Sequence, residues 1–284
     1  MNLAKIRRKS ADISIYFLLA ALGILWVLPI FYLVYTAFRI TPSTGIINTL
    51  FPDNLQLGFG NFSKLFQETM FMKWLLNTMI VATSSCILTT AFILMVSYAF
   101  SRLRFKMRKP LMNVVLVLGM FPGFMSMIAI YFILKAMGLT NSLFALVLVY
   151  SGSAALSYYI CKGFFDTVPR AMEEAAILDG AGQPMVFWKI IMPMAKPIIV
   201  YTVLTSFIAP WCDFIFVNTI ISDREKYTVS LGLYKMINSE KNSFNDNFTV
   251  FCAGAFVVGA IIVTLFMSMQ RYYVEGITGG AVKG

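Results

Sequence analysis

Six apolar segments, each about long enough to cross a lipid bilayer, run along this 284-residue chain and leave it few ways to fold. They lie at approximately 15–38, 74–100, 111–134, 142–161, 197–221 and 249–270. A hydrocarbon core of about 30 Å takes roughly 20 helical residues to span. Within it every backbone N–H and C=O must be paired inside the segment, which for single runs of this kind means α-helix. Composition agrees: 59% of residues are hydrophobic and 13% charged, against about 25% charged in ordinary soluble domains. That leaves too little polar surface to cover the apolar mass in water. The expected fold is an all-α polytopic membrane protein of six transmembrane helices, with a tail at 1–14, a membrane domain at 15–270 and a second tail at 271–284.

The formal charge of +10 raises the question of nucleic acid, but the basic residues are gathered in short connections between apolar runs. That is the pattern of a membrane protein whose cytoplasmic loops are enriched in Lys and Arg, and no nucleic-acid partner is expected. Lys5, Arg7, Arg8 and Lys9 precede the first run, as in a signal peptide. The 24-residue run exceeds the 7–15 residues of a cleavable apolar region, and no small-x-small site closes it, so a retained signal anchor is expected. Counting Lys and Arg over alternate connections gives fifteen on the side of both tails and eight on the other. Both termini are therefore expected in the cytoplasm, with the basic 222–248 connection the weakest support for that orientation.

Several chemistries are excluded or disfavoured. Histidine is absent, which removes Ser-His and Cys-His nucleophile pairs and any ordinary zinc site. Cys86, Cys161, Cys212 and Cys252 lie in or beside apolar runs and read as small buried hydrophobes. No phosphate-binding G-x-x-x-x-G-K-[ST] loop occurs, so the chain carries no ATPase site of that kind and is not expected to be an enzyme. Pro29, Pro122-Gly123, Gly152 and Pro210 interrupt spans, either as packing kinks or as places where freed carbonyls line a path. Asp213 is the one carboxylate within the six expected spans. Intramembrane carboxylates are costly and face a cavity or a partner. Asp213, with Trp211 and Asn218 nearby, is a candidate for lining a substrate path. The alternative is a hydrogen bond between helices.

The 162–196 connection is too apolar for a solvated loop and too interrupted for a span. Asp166 or Thr167 can cap a short helix opened by Pro169, with Glu173 and Glu174 at its positive end. Ala175, Ala176, Ile177 and Leu178 propagate it, and Gly180 can supply a left-handed stop. Pro184 opens a second helix that Pro193 ends. Such a small-residue helix suits docking into a groove on another protein, or else belongs to an amphipathic pair lying on the bilayer.

Glu174-Ala175-Ala176, Gly180, Ile190 and Pro193 stand at the spacing of the cytoplasmic signature of bacterial ABC-importer permeases, with Met192 where leucine is usual. Met for Leu conserves volume and is a mild departure. The stretch Trp211-Cys212-Asp213-Phe214, with Ile221-Ser222-Asp223 and Tyr227-Thr228-Val229, resembles the fifth span and outer loop of sugar-importer permeases. The ending from Gly279 to Gly284 is similar to that of the smaller permease of maltose and maltodextrin importers.

The resemblance implies a type I ABC importer permease fold in a bacterial cytoplasmic membrane and a malto-oligosaccharide-like cargo. It makes 162–196 a coupling segment, with Glu174, Ala175, Ala176, Asp179 and Gly180 seated in a cleft of an ATPase subunit. It also implies a second permease, two ATPase subunits that hold ATP and Mg, an extracytoplasmic sugar-binding protein, and no cofactor in this chain. The 222–248 connection is large enough to touch that binding protein. An ion-coupled secondary transporter is the rival reading. It would need coupling-ion sites at matching positions of repeated halves, and the sequence shows neither.

Overall fold

The computed structural model describes residues 3–40, 56–121, 123–238 and 243–281. Its elements are α1 (Leu3–Phe38), β1 (Arg39–Ile40), β2 (Gln56–Leu57), α2 (Gly60–Glu68), α3 (Phe71–Arg102), α4 (Arg108–Gly119), α5 (Gly123–Ala136), α6 (Leu143–Gly152) and α7 (Ala155–Thr167). There follow α8 (Ala171–Leu178), α9 (Gln183–Met185), a π-helical stretch (Val186–Ile191), α10 (Met192–Met194), α11 (Lys196–Cys212), α12 (Ile215–Ile220), α13 (Val229–Asn238) and α14 (Ser243–Ala281). The chain divides into two compact units, Met1–Thr69 with Lys235–Gly259, and Met70–Tyr234 with Ala260–Gly284.

In the first unit, α1 is apolar over Asp12–Phe38 and its large side chains from Ile13 to Phe31 stand exposed. A helix apolar all round needs lipid or a partner as its solvent. Its C-terminal end is tied down. The buried Asn61 amide donates to the Ala37 and Arg39 carbonyls at 2.9 and 2.8 Å, beside the antiparallel β1–β2 pair. Phe38, Phe59, Phe62 and Phe256 pack with ring centroids 5.0 to 6.0 Å apart.

The second unit is built around α3, which packs on α6, α7 and α11. One core joins Ile93, Leu94 and Tyr98 of α3 to Cys161, Phe165, Val186 and Ile191. Another joins Val81 to Leu134, Leu146, Val217 and Ile220. Small polar residues of α3 stitch these contacts. The Thr89 hydroxyl donates to the Tyr150 carbonyl at 3.3 Å, and the Ser97 hydroxyl to the Tyr158 carbonyl at 2.9 Å. Such bonds hold helices together where apolar contact alone is no better than lipid.

Among the described residues, three helices are long and apolar enough to cross a membrane: Asp12–Phe38, Phe71–Arg102 and Asn247–Gln270. Two bent pairs raise this to five, α6 with α7 at 43° and Gln183–Met194 with α11 at 83°. The run expected to be one span at 111–134 is two helices, α4 and α5. Gly119 and Gly123 flank this break, and Pro122 lies outside the described residues. The run at 197–221 is divided as well. Pro210 withholds an N–H from the ladder, α11 ends at Cys212, and Asp213 turns extended with ψ 109° before α12 begins.

Candidate functional site

Two places combine unusual chemistry with exposure. The first is the elbow around α8. At the end of α3, the Ser101 hydroxyl donates to Asp166 Oδ1 at 2.6 Å. Arg102 Nη2 donates to the Phe165 and Val168 carbonyls at 2.6 and 2.7 Å, the first of which also accepts from the Val168 N–H at 3.2 Å. Arg102 Nε lies 2.8 Å from Glu173 Oε1, with side chains only 4% and 11% exposed. The Nε–H does not point along that line, so the contact is an ion pair rather than an aligned hydrogen bond. Burial lifts the Glu173 carboxyl above the ordinary range, while Arg102 and Arg170 pull it back. Arg102 thus fastens two carbonyls and a carboxylate of the next connection to the end of α3.

With Glu173 turned inward, the rest of α8 faces out. Glu174, Ala175, Asp179 and Gly180 are exposed, Ala176 is half-buried, and Leu178 is 88% exposed. Gly180 adopts φ +88°. Its N–H bonds the Ile177 carbonyl at 3.0 Å and the Ala181 N–H bonds the Ala176 carbonyl at 2.9 Å. These are the two bonds of a Schellman stop, which favours glycine at the left-handed position. Pro184 then opens α9. The Pro193 ring would meet the carbonyl four residues back in a regular helix, and the turn before it is widened into the π-helical stretch. Two helical stretches form as expected, but Asp166 and Thr167 close α7 instead of capping α8, whose N-cap position is Arg170 with no side-chain bond, and the second stretch runs through Pro193 to Met194.

The second place is a cavity of about 330 Å³ whose lining includes Ser126, Met127, Tyr150, Ser153, Asp213 and Phe216. The Tyr150 hydroxyl donates to Asp213 Oδ2 at 2.9 Å, and the Phe216 N–H to Oδ1 at 3.0 Å. Asp213 thereby caps α12 across the helix break. A carboxylate has about four acceptor positions, so these two bonds do not exhaust its capacity. Trp211 and Asn218 are not among its described lining residues. Trp211 is buried against Phe207, and Asn218 is exposed on α12. The structure therefore brings Asp213 together with Tyr150, which lies 63 residues away in sequence and which no local signal singled out. Arg102 was equally hidden, one of five basic residues in its connection.

Residues 89–278 match the family described as binding-protein-dependent transport system inner membrane component. Among curated proteins, the chain is 32% identical to the maltodextrin transport system permease protein MalD of Streptococcus pneumoniae, covering 100% of this chain and 99% of that one. It is 30% identical to the galactooligosaccharides transport system permease protein GanQ of Bacillus subtilis, over 99% of this chain and 98% of that one. Among solved structures, it matches a chain of a bacterial ABC transporter involved in the import of the acidic polysaccharide alginate. The TM-score is 0.79 at 20% identity, covering 93% of this chain and 97% of that one, which is a likeness of fold.

Proposed function

We propose, from the premise that this chain belongs to the family of binding-protein-dependent transport system inner membrane components, that it is a membrane-embedded permease subunit of an ATP-driven carbohydrate importer. Relatives named for maltodextrin and galactooligosaccharide transport, each matched over nearly its whole length, support a neutral oligosaccharide as cargo. The chain crosses the membrane six times with both termini in the cytoplasm, α4 and α5 together making the third crossing. A second permease completes the path, two ATPase subunits supply energy, and a binding protein delivers sugar on the outer side.

The observation that carries the mechanism is the outward face of α8. Leu178, at 88% exposure, has almost no role in this chain's own packing, yet a Schellman stop and a buried ion pair hold the helix that displays it. Glu174, Ala175, Ala176, Asp179 and Gly180, with Leu178, form the contact with one ATPase subunit. Closure of the ATPase pair moves α8, and the Arg102–Glu173 pair passes that movement to α3, the central helix of its unit. The Asp213–Tyr150 cavity offers acceptors and an aromatic ring on the sugar path. Trp211 supports the path from behind, and Asn218 borders it.

Reconstitution in vesicles tests this reading. Uptake of labelled maltodextrin is expected to need ATP on the α8 side and loaded binding protein on the other, and to survive collapse of ion gradients. Uptake driven by a proton or sodium gradient without any ATPase would replace the importer with a secondary transporter.

A further inference from the structure

The segment joining α3 to α4 is not absorbed by that mechanism. From Leu103 to Arg108 apolar and basic residues alternate, and Lys109 follows. Leu103 leaves the helix with extended backbone, ψ 145°, and a turn in which the Arg108 N–H bonds the Phe105 carbonyl at 3.2 Å leads into α4. Leu103, Phe105 and Met107 are 40%, 40% and 55% exposed, a poor arrangement for a segment in open water. Arg108 is drawn toward Asp166 electrostatically. Arg104, Lys106 and Lys109 have no ion-pair partner among the described residues. They border a shallow groove of about 640 Å³.

The position of the segment decides between possible occupants. Exposed apolar side chains of α3 continue to Phe92 and Met95, and those of α4 resume at Leu111, Val114 and Leu118. The connection therefore sits between the ends of two exposed apolar helix surfaces. We infer that residues 103–109 form a binding site for an anionic phospholipid, with Leu103, Phe105 and Met107 in the upper acyl region and Arg104, Lys106 and Lys109 on the phosphate. A soluble anion would make no use of the three apolar side chains. A juxtamembrane basic cluster attracts acidic lipid, and neutralising each cation weakens the attraction several-fold. This site adjoins Arg102, so a bound lipid also bears on the latch that holds α8.

The test uses the full-length chain extracted from vesicles of equal phosphatidylglycerol and phosphatidylcholine, with retained lipid counted by native mass spectrometry. Wild type is expected to retain phosphatidylglycerol preferentially. R104S/K106S/K109S is expected to reduce that preference on the order of a hundred-fold, and L103S/F105S/M107S to reduce it less. The charge-preserving R104K/K106R/K109R should keep it, which separates loss of lipid from loss of fold. An unchanged preference in the serine variants overturns the site. So does displacement of the lipid by inorganic phosphate with the apolar variant behaving as wild type, which would mark a soluble-anion site. Loss of a co-purifying ATPase with lipid preference intact would mark a protein surface and equally overturn it.

Discussion

The two ends of α3 grip neighbouring connections by different means. At its N-terminal end the buried part of the grip is neutral and steric, with an exposed ion pair at its edge, Lys73 Nζ to Glu225 Oε2 at 2.7 Å. Trp74 Nε1 donates to the Arg224 carbonyl at 3.0 Å, and the Asn77 amide donates to the Glu225 and Tyr227 carbonyls at 2.8 and 3.0 Å. The Thr78 hydroxyl accepts from the Val229 N–H at 2.7 Å, capping from another helix the first N–H of α13. Gly232 lies so close that a Cβ there would sit 2.2 Å from the Trp74 ring. At the C-terminal end the grip is charged, Arg102 holding two carbonyls and Glu173. Neutral bonds to backbone carbonyls fix a connection in place. A buried ion pair beneath a helix with an exposed outer face connects that helix rigidly to the span while leaving its other side free for a partner. One end is built as an anchor, the other as a lever.

Breaking the lever should have the largest effect. Arg102→Met leaves Glu173 buried without its cation and frees two carbonyls, a loss of about 3–5 kcal/mol. A strongly lowered unfolding temperature in detergent is expected. Breaking the anchor by Gly232→Ala forces the Trp74 ring aside, for about 1–3 kcal/mol. A change at Gly232 that left the unfolding temperature untouched would show that the close approach is not needed. Thr78→Val removes only the borrowed cap, for about 1 kcal/mol, with hydrogen exchange rising first at the start of α13. Glu173→Gln sharpens the contrast by its pH dependence. Burial raises the Glu173 carboxyl, so its favourable contribution is present below the unfolded value and is lost as pH rises through the folded one. The stability profile of the Gln variant should lack that slope, whereas variants at the neutral anchor should keep it.

The sequence revealed the two grips unequally. The α8 helix and its left-handed stop were legible, because small residues and Gly180 act within a single turn or two, whereas the expected caps Asp166 and Thr167 close α7 instead. The long α3 was legible from its apolar run. Neither grip was, since Arg102 and Glu173 are 71 positions apart and Asn77 meets Glu225 across 148. Periodicity carries no record of which distant loop a polar side chain will meet. The division of the 111–134 run and the Asp213 break were legible only as kinks at Pro122 and Pro210. That Asp213 recruits Tyr150 depends on how α6 packs against the helix break. Trp211 and Asp213 are close in sequence, but the helix ends between them at Cys212, and Trp211 is buried against Phe207.

The central claim is that the exposed face of α8 is where an ATPase subunit engages this chain. The most direct measurement is recovery of the ATPase with the detergent-solubilised permease, comparing wild type with Leu178→Asp. Leu178 makes so little contact within the chain that the substitution should leave the unfolding temperature unchanged. The account predicts that wild type recovers the ATPase and that the variant, equally folded, loses it. Full recovery by the variant, with sugar uptake intact, would contradict the assignment of α8.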